Sequence, residues 1–187
     1  MRHKKSSGFT LPEMIITVGV VAIIMSTAVP SLNSSLKNNR LASHLNNVVA
    51  DLHFARSEAV KRDVRVILCR SSNPNATNPT CSGSDYIWTS GYIIFADDGN
   101  YTNNTYDAGT DILLRRGQPA GSGVTLRTNP IWNHFLEYNP GGSLNEGGTA
   151  LMSICDDRGR DYGKQIVVAP NGIPKLYSSD IPSCYPS

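Results

Sequence analysis

The chain has 187 residues, of which 17% are charged, with 17 basic and 15 acidic side chains. Three of the basic residues (Arg2, Lys4 and Lys5) lie at the very start, and the remaining 14 basic and 15 acidic residues leave no overall positive field that would gather nucleic acid. The sequence contains no Gly-x-Ser-x-Gly elbow, P-loop or His-Glu-x-x-His run. We therefore expect no enzyme, no cofactor and no metal site.

The N-terminal segment combines a basic start with a long apolar run. Residues 9–29 carry one charge, Glu13, and at about 1.5 Å per residue they span about 30 Å, the thickness of a bilayer core. The basic start holds the N-terminus on the cytoplasmic side. Gly8 precedes the apolar run, whereas an ordinary secretory cleavage site follows it. These features predict a leader over residues 1–8 and a transmembrane helix over residues 9–29.

Glu13 is a lone carboxylate at the membrane edge, a position that is costly unless the charge is paired. If the chain is cut after Gly8, Phe9 carries a new amino group and Glu13 becomes the fifth residue. Between staggered neighbouring subunits the two groups can pair directly. Such a pair neutralises both charges and sets an axial register between subunits.

The run Gly8-Phe9-Thr10-Leu11-Pro12-Glu13 resembles the class III leader junction of type IV pilins and type II secretion pseudopilins. The resemblance implies that a prepilin peptidase cuts after Gly8 and methylates the new N-terminal Phe9. It also implies an α+β pilin-like fold, in which a long N-terminal helix packs on a small antiparallel β-rich head with disulfides.

The helical pattern continues beyond the apolar run over residues 30–62. From Leu41 onward the apolar residues recur at steps of three and four, which predicts an amphipathic helix with one stripe on the head. Polar residues such as Asn47 and Asp51 are predicted to face the other way. Pro30 lies inside the pattern and predicts a kink or local melting just past the bilayer.

Residues 63–187 are predicted to form the β-rich head, because short apolar runs alternate there with segments rich in Gly, Pro, Asn and Ser. The predicted strands cover residues 64–69, 86–95, 112–115, 124–127, 132–138, 150–155, 165–169 and 175–177.

The four cysteines form no Cys-x-x-Cys pair, which favours disulfides in an exported head over a zinc site. Three connectivities are possible. We favour Cys69–Cys81 and Cys155–Cys184, because each closes a loop at the edge of a strand-like segment.

Four segments follow one another in a fixed order: residues 55–62, a Val-rich segment, Trp88 with residues 91–97, and Leu113-Leu114-Arg115. This order resembles that of the GspH/FimT/FimU group of minor pilins and pseudopilins, and the two candidate disulfides make the chain most like FimU. The resemblance implies a structural minor pilin of the complex that primes and caps a type IV pilus, with other minor pilins and the major pilin as partners. It further implies a single-pass protein of the bacterial inner membrane with a periplasmic head, which reaches the cell surface on assembly and supports twitching motility and DNA uptake.

Two alternatives remain open within this group. FimT-like members bind DNA in natural transformation through a Gly-Arg-x-Arg motif, and the matching residues 172–175 retain only Lys175 as a basic residue. A second basic group consists of Arg158, Arg160 and Lys164, but three aspartates flank it, so we expect only weak DNA binding. The other alternative is a GspH-like pseudopilin of type II secretion.

Overall fold

The structure, a computed structural model, describes residues 9–83, 86–98, 104–121, 123–129, 132, 134–145, 148–177 and 184. The chain forms two compact units, Met1–Asn39 and Arg40–Ser187. Helix α1 spans Leu11–Arg62. The strands are β1 (Arg65–Arg70), β2 (Tyr92–Asp97), β3 (Ile112–Gly117), β4 (Val124–Thr128), β5 (Phe135–Tyr138), β6 (Ala150–Asp156), β7 (Lys164–Val168) and β8 (Pro174–Tyr177).

In the first unit, α1 exposes its apolar side chains. It is the one helix of the described chain that is long and apolar enough to cross a membrane, and none of its most apolar segment is buried. Residues on both sides of Pro30 are helical, so the local melting considered for this position is not seen in the single chain. The kink itself stays a prediction.

In the second unit, the later part of α1 packs on the head through the stripe that its periodicity predicts. The buried members of this stripe are Leu41, Leu45, Val48, Leu52, Ala55 and Ala59. The helix ends at Arg62, where Asp63 takes a positive φ of 57°, a conformation that aspartate tolerates better than most residues. The chain then turns directly into β1.

Two four-stranded antiparallel sheets complete the head. The first has the order β3-β2-β1-β5 and the second β4-β6-β7-β8. Alternation along each strand places one face of each sheet against α1 in a shared core that includes Trp88 and Trp132. The opposite face of the first sheet carries a smaller cluster of Ile67, Cys69, Ile93 and Phe95.

The predicted strands agree with the observed ones within a few residues, with two corrections. The predicted strand over residues 86–95 is divided, because Gly91 takes a φ of +116° and turns the chain before β2. Residues 86–88 pair instead with β4, where the Trp88 N–H donates to the Leu126 carbonyl at 2.8 Å. The predicted strand over residues 132–138 is shortened to Phe135–Tyr138.

Both disulfides favoured from the sequence are formed. Cys69–Cys81 joins β1 to the loop that follows it, with 5.5 Å between Cα atoms. Cys155–Cys184 joins β6 to the C-terminal segment, with 5.6 Å between Cα atoms. A head of this size gains stability from such cross-links, which typically contribute about 2–4 kcal/mol each.

Candidate assembly and nucleic-acid sites

The predicted assembly segment begins immediately before α1. The Met14 N–H donates to the Thr10 carbonyl at 3.2 Å, which closes the first helical turn. Pro12 falls within that turn, where its missing N–H costs little. Gly8 lies outside the described residues, and Phe9, the first described residue, has a side chain that is 77% exposed.

Glu13 lies in the first turn of α1 and is exposed. A carboxylate there is favoured by the partial positive charge of the helix N-terminus. Phe9 and Glu13 are four residues apart, about one helical turn. The apolar side chains that follow are exposed in the single chain, so this segment presents one acid beside an uncovered apolar surface.

Arg158, one of the basic residues considered for nucleic-acid binding, already binds a carboxylate of its own turn. Arg158 donates from Nε and Nη2 to Asp156 Oδ2 at 2.9 and 2.6 Å, and its guanidinium lies 4.3 Å from the centre of the Tyr162 ring. The hydrogen bond to the Asp156 carboxylate raises the pKa of Arg158. The guanidinium fork that would hold a phosphate is therefore occupied by a carboxylate of the same turn.

Two of the other basic residues, Lys164 and Lys175, lie on opposite sides of the second sheet. Arg160 belongs to the short 3-10 helix Arg160–Tyr162. Lys164 stands opposite Ile154 on the core side of the second sheet, whereas Lys175 stands opposite Val167 on the other side. Because successive strand residues point to opposite faces, Lys164 and Lys175 cannot contact the same phosphate.

The glycine of the expected DNA-binding motif is explained by packing. Gly172 takes a φ of +78°, and a Cβ added to it would lie 2.0 Å from the Gly142 carbonyl oxygen. Only glycine permits both this backbone conformation and this close approach. The presence of glycine at the motif position therefore has a structural explanation.

The helix also contributes a polar cluster that the sequence did not predict. Asp51 is buried, and its carboxylate accepts from Arg115 Nη1 at 2.6 Å and from the Tyr92 hydroxyl at 2.7 Å. Burial raises the pKa of Tyr92 well above its usual range, and the Asp51 charge raises it further. These residues line a cavity of about 340 Å³ that His44 also borders. The sequence signal for the burial of Asp51 was its spacing, since Asp51 lies three residues after the buried Val48.

A second buried cluster joins three strands of the first sheet. Arg65 of β1 donates to Glu137 Oε1 of β5 at 3.1 Å and also binds Asp97 of β2. All three side chains are almost completely buried. No group of three or more His, Cys, Asp or Glu side chains among the described residues is placed to hold a metal ion.

Comparisons with known proteins agree with this architecture. The family described as Type II transport protein GspH matches residues 44–172, and the prokaryotic N-terminal methylation motif matches residues 3–29. No curated protein sequence matches at a significant level.

The fold is similar to that of the type IV minor pilin FimU from Pseudomonas aeruginosa strain PAO1, in two crystal forms. The first match has a TM-score of 0.61 and 21% identity, and covers 80% of this chain and 98% of that one. The second has a TM-score of 0.58 and 22% identity, and covers 78% of this chain and all of the other.

Proposed function

Because the chain belongs to the GspH family, we propose that it is a minor pilin, a structural subunit of the complex that primes and caps a type IV pilus. The observation that carries the proposal is the N-terminal methylation motif over residues 3–29, in which the apolar segment 9–29 bears one charge, Glu13. A FimU-like fold of the head is consistent with it.

The proposed mechanism is assembly. Prepilin peptidase cleaves after Gly8 and methylates the Phe9 amine. Residues 9–29 then hold the subunit in the bacterial inner membrane with the head in the periplasm. On extraction, Glu13 pairs with the N-terminal ammonium of a neighbouring subunit, and the apolar helices bundle, which covers the surface that a single chain leaves exposed.

The proposed partners are the prepilin peptidase, the other minor pilins and the major pilin. The head, whose core and two disulfides form within the single chain, supplies lateral contacts to its neighbours in the tip. Twitching motility, adhesion and DNA uptake would then depend on the subunit indirectly, through the filament.

A second candidate is a pseudopilin of type II secretion, which the description of the matching family favours. The same N-terminal chemistry serves both machines, so the two candidates differ in what a deletion removes. Loss of surface pili with secretion intact supports the minor pilin. Loss of secretion with pili intact supports the pseudopilin.

The role of Glu13 is tested by Glu13→Gln, which keeps the shape and removes the charge. We expect the variant to be processed and to accumulate in the membrane, but to be depleted at least tenfold from sheared filaments. Asp98→Asn, which removes an exposed charge from the head, serves as the matched control and should enter filaments normally. Equal incorporation of Glu13→Gln and wild type would refute the pairing.

A further inference from the structure

The two sheets of the head have four edge strands, and the chain itself covers two of them. Residues 86–88 lie along β4, where the Thr128 N–H donates to the Tyr86 carbonyl at 2.9 Å. Residues 144–145 lie along β5, where the Asn145 N–H donates to the Glu137 carbonyl at 3.2 Å. Neither edge offers a continuous set of backbone groups to another strand.

The third edge, β3, carries two features that discourage pairing. Its register with β2 shifts between Ile94 and Phe95, which leaves Leu114 as an extra residue. It also carries Arg115 and Arg116, which bind Asp51 and the carbonyls of the loop after β1. Bulges and charged residues are the usual means by which edge strands avoid other chains.

The fourth edge, β8, is paired with no other segment of the part of the chain that the structure describes. The Ala169 carbonyl accepts from Gly172 N–H and the Ala169 N–H donates to the Ile173 carbonyl, which defines a three-residue hairpin loop ending in a glycine of positive φ. Hydrogen-bonded pairs alternate from there along β7 and β8, at Val167–Lys175 and Gln165–Tyr177. The N–H and carbonyl of Leu176 therefore point away from β7, toward the free edge.

The side chains of this edge specify what it can accept. Leu176 stands on the core side of the sheet opposite Ile166, yet it is 53% exposed. Lys175 and Tyr177 are exposed on the other side, and no carboxylate of the described chain lies within ion-pair distance of Lys175. Pro174 has no N–H, which ends the available edge on one side.

We infer that the free edge of β8 is an interaction surface that takes an extended edge strand from the head of another pilin-type subunit. The incoming strand presents an apolar side chain to Leu176 and a carboxylate to Lys175, and it exchanges backbone hydrogen bonds with Leu176. This inference rests on the proposed function, and it names the edge by which the head makes its lateral contact.

The test uses the full chain in cells that assemble filaments, with photoreactive benzoylphenylalanine at Leu176. We expect a cross-link to another pilin-type subunit, mapped by mass spectrometry to an edge strand of its head. Ile112 on β3 is 43% exposed, and the same probe at this position should give at least fivefold less cross-linked product. A probe at Val20 in the apolar helix reports on filament assembly itself.

A cross-link from Val20 to pilins with none from Leu176 would overturn the β8 edge and leave the minor-pilin function standing. Failure of both probes would overturn both proposals. Equal cross-linking from Ile112 and Leu176, or a Leu176 adduct with DNA or with a protein that is not a pilin, would overturn the edge assignment.

Backbone pairing is tested with Leu176→Pro, which removes the outward N–H without breaking a bond to β7. With the photoprobe moved to Tyr177, we expect Leu176→Pro to lose the cross-link at least tenfold and Leu176→Ala, which keeps the N–H, to lose less. Lys175→Glu tests the charge independently and should also reduce the cross-link. If Leu176→Pro and Lys175→Glu both cross-link as wild type does, the inference is wrong.

Discussion

The buried Arg65 cluster gives the head a sharply testable dependence on one guanidinium. Replacing Arg65 with Met keeps most of the volume but leaves Asp97 and Glu137, with side chains 3% and 2% exposed, without their cation. Removing one partner from a buried ion pair typically costs about 3–5 kcal/mol. For a domain of this size, each kcal/mol lowers the melting temperature by about 2–4 °C, so we expect a fall of about 6–20 °C.

The assay is thermal and urea unfolding of the separate head, residues 40–187, which is a compact unit with its own core. Arg62→Met is the matched control, since Arg62 pairs with Glu58 at a more exposed site and should contribute less than about 1 kcal/mol. Adding Asp97→Asn and Glu137→Gln to Arg65→Met should restore at least half of the lost stability, because no charge then remains in this cluster. If Arg65→Met is no more destabilising than Arg62→Met, the stabilising role assigned to the Arg65 cluster is wrong.

Three further predictions concern the glycine turn, the buried tyrosines and DNA. Gly172→Ala should lower the free energy of unfolding by at least about 2 kcal/mol, and Gly123→Ala by about 1 kcal/mol. Both glycines have a positive φ, but only at Gly172 would the added Cβ meet a backbone oxygen. Equal losses for the two variants in urea unfolding would contradict this prediction. Burial raises the pKa of Tyr92 and of Tyr138, so the folded head retains their protons and loses this stability as the pH rises above about 10. In an alkaline titration followed by tyrosinate absorbance, Tyr92→Phe should remove signal from the late phase, and a loss of signal from the early phase would contradict this. The head should bind duplex DNA with a dissociation constant above about 10 μM at 150 mM salt. Replacing Arg158, Arg160 and Lys175 together by Ala should change this affinity little. Micromolar, salt-sensitive binding that the triple variant loses would instead support a DNA receptor.

Local patterns predicted the helix, most strands and both disulfides. The stripe from Leu41 to Ala59 has a period that only one face of a helix satisfies, and the structure buries that face. The favoured cysteine pairs were correct because each closes a loop beside a strand, which depends mainly on local geometry.

The polar clusters could not be predicted from local patterns. Asp51 was predicted to face away from the head, but β2 and β3 bring Tyr92 and Arg115 to it, so its charge is satisfied inside. The Arg65 cluster likewise requires β1 to lie between β2 and β5, an order that no local pattern specifies.

Gly172 shows that a residue type at a motif position does not by itself identify a function. In the sequence it stands where a DNA-binding motif would begin, but its packing role appears only when the β7–β8 turn meets Gly142. A shared residue type thus has two physical explanations, and only tertiary contacts distinguish them.

The central claim is that processing after Gly8 creates the cation that Glu13 binds in the next subunit. The most direct test is the intact mass and N-terminal peptide of the mature protein purified from the cells that make it. We predict a mature chain that begins at Phe9 and carries one methyl group on its amine. A mature chain that still begins at Met1, or that begins beyond residue 29, would contradict the claim and remove the basis for the filament function.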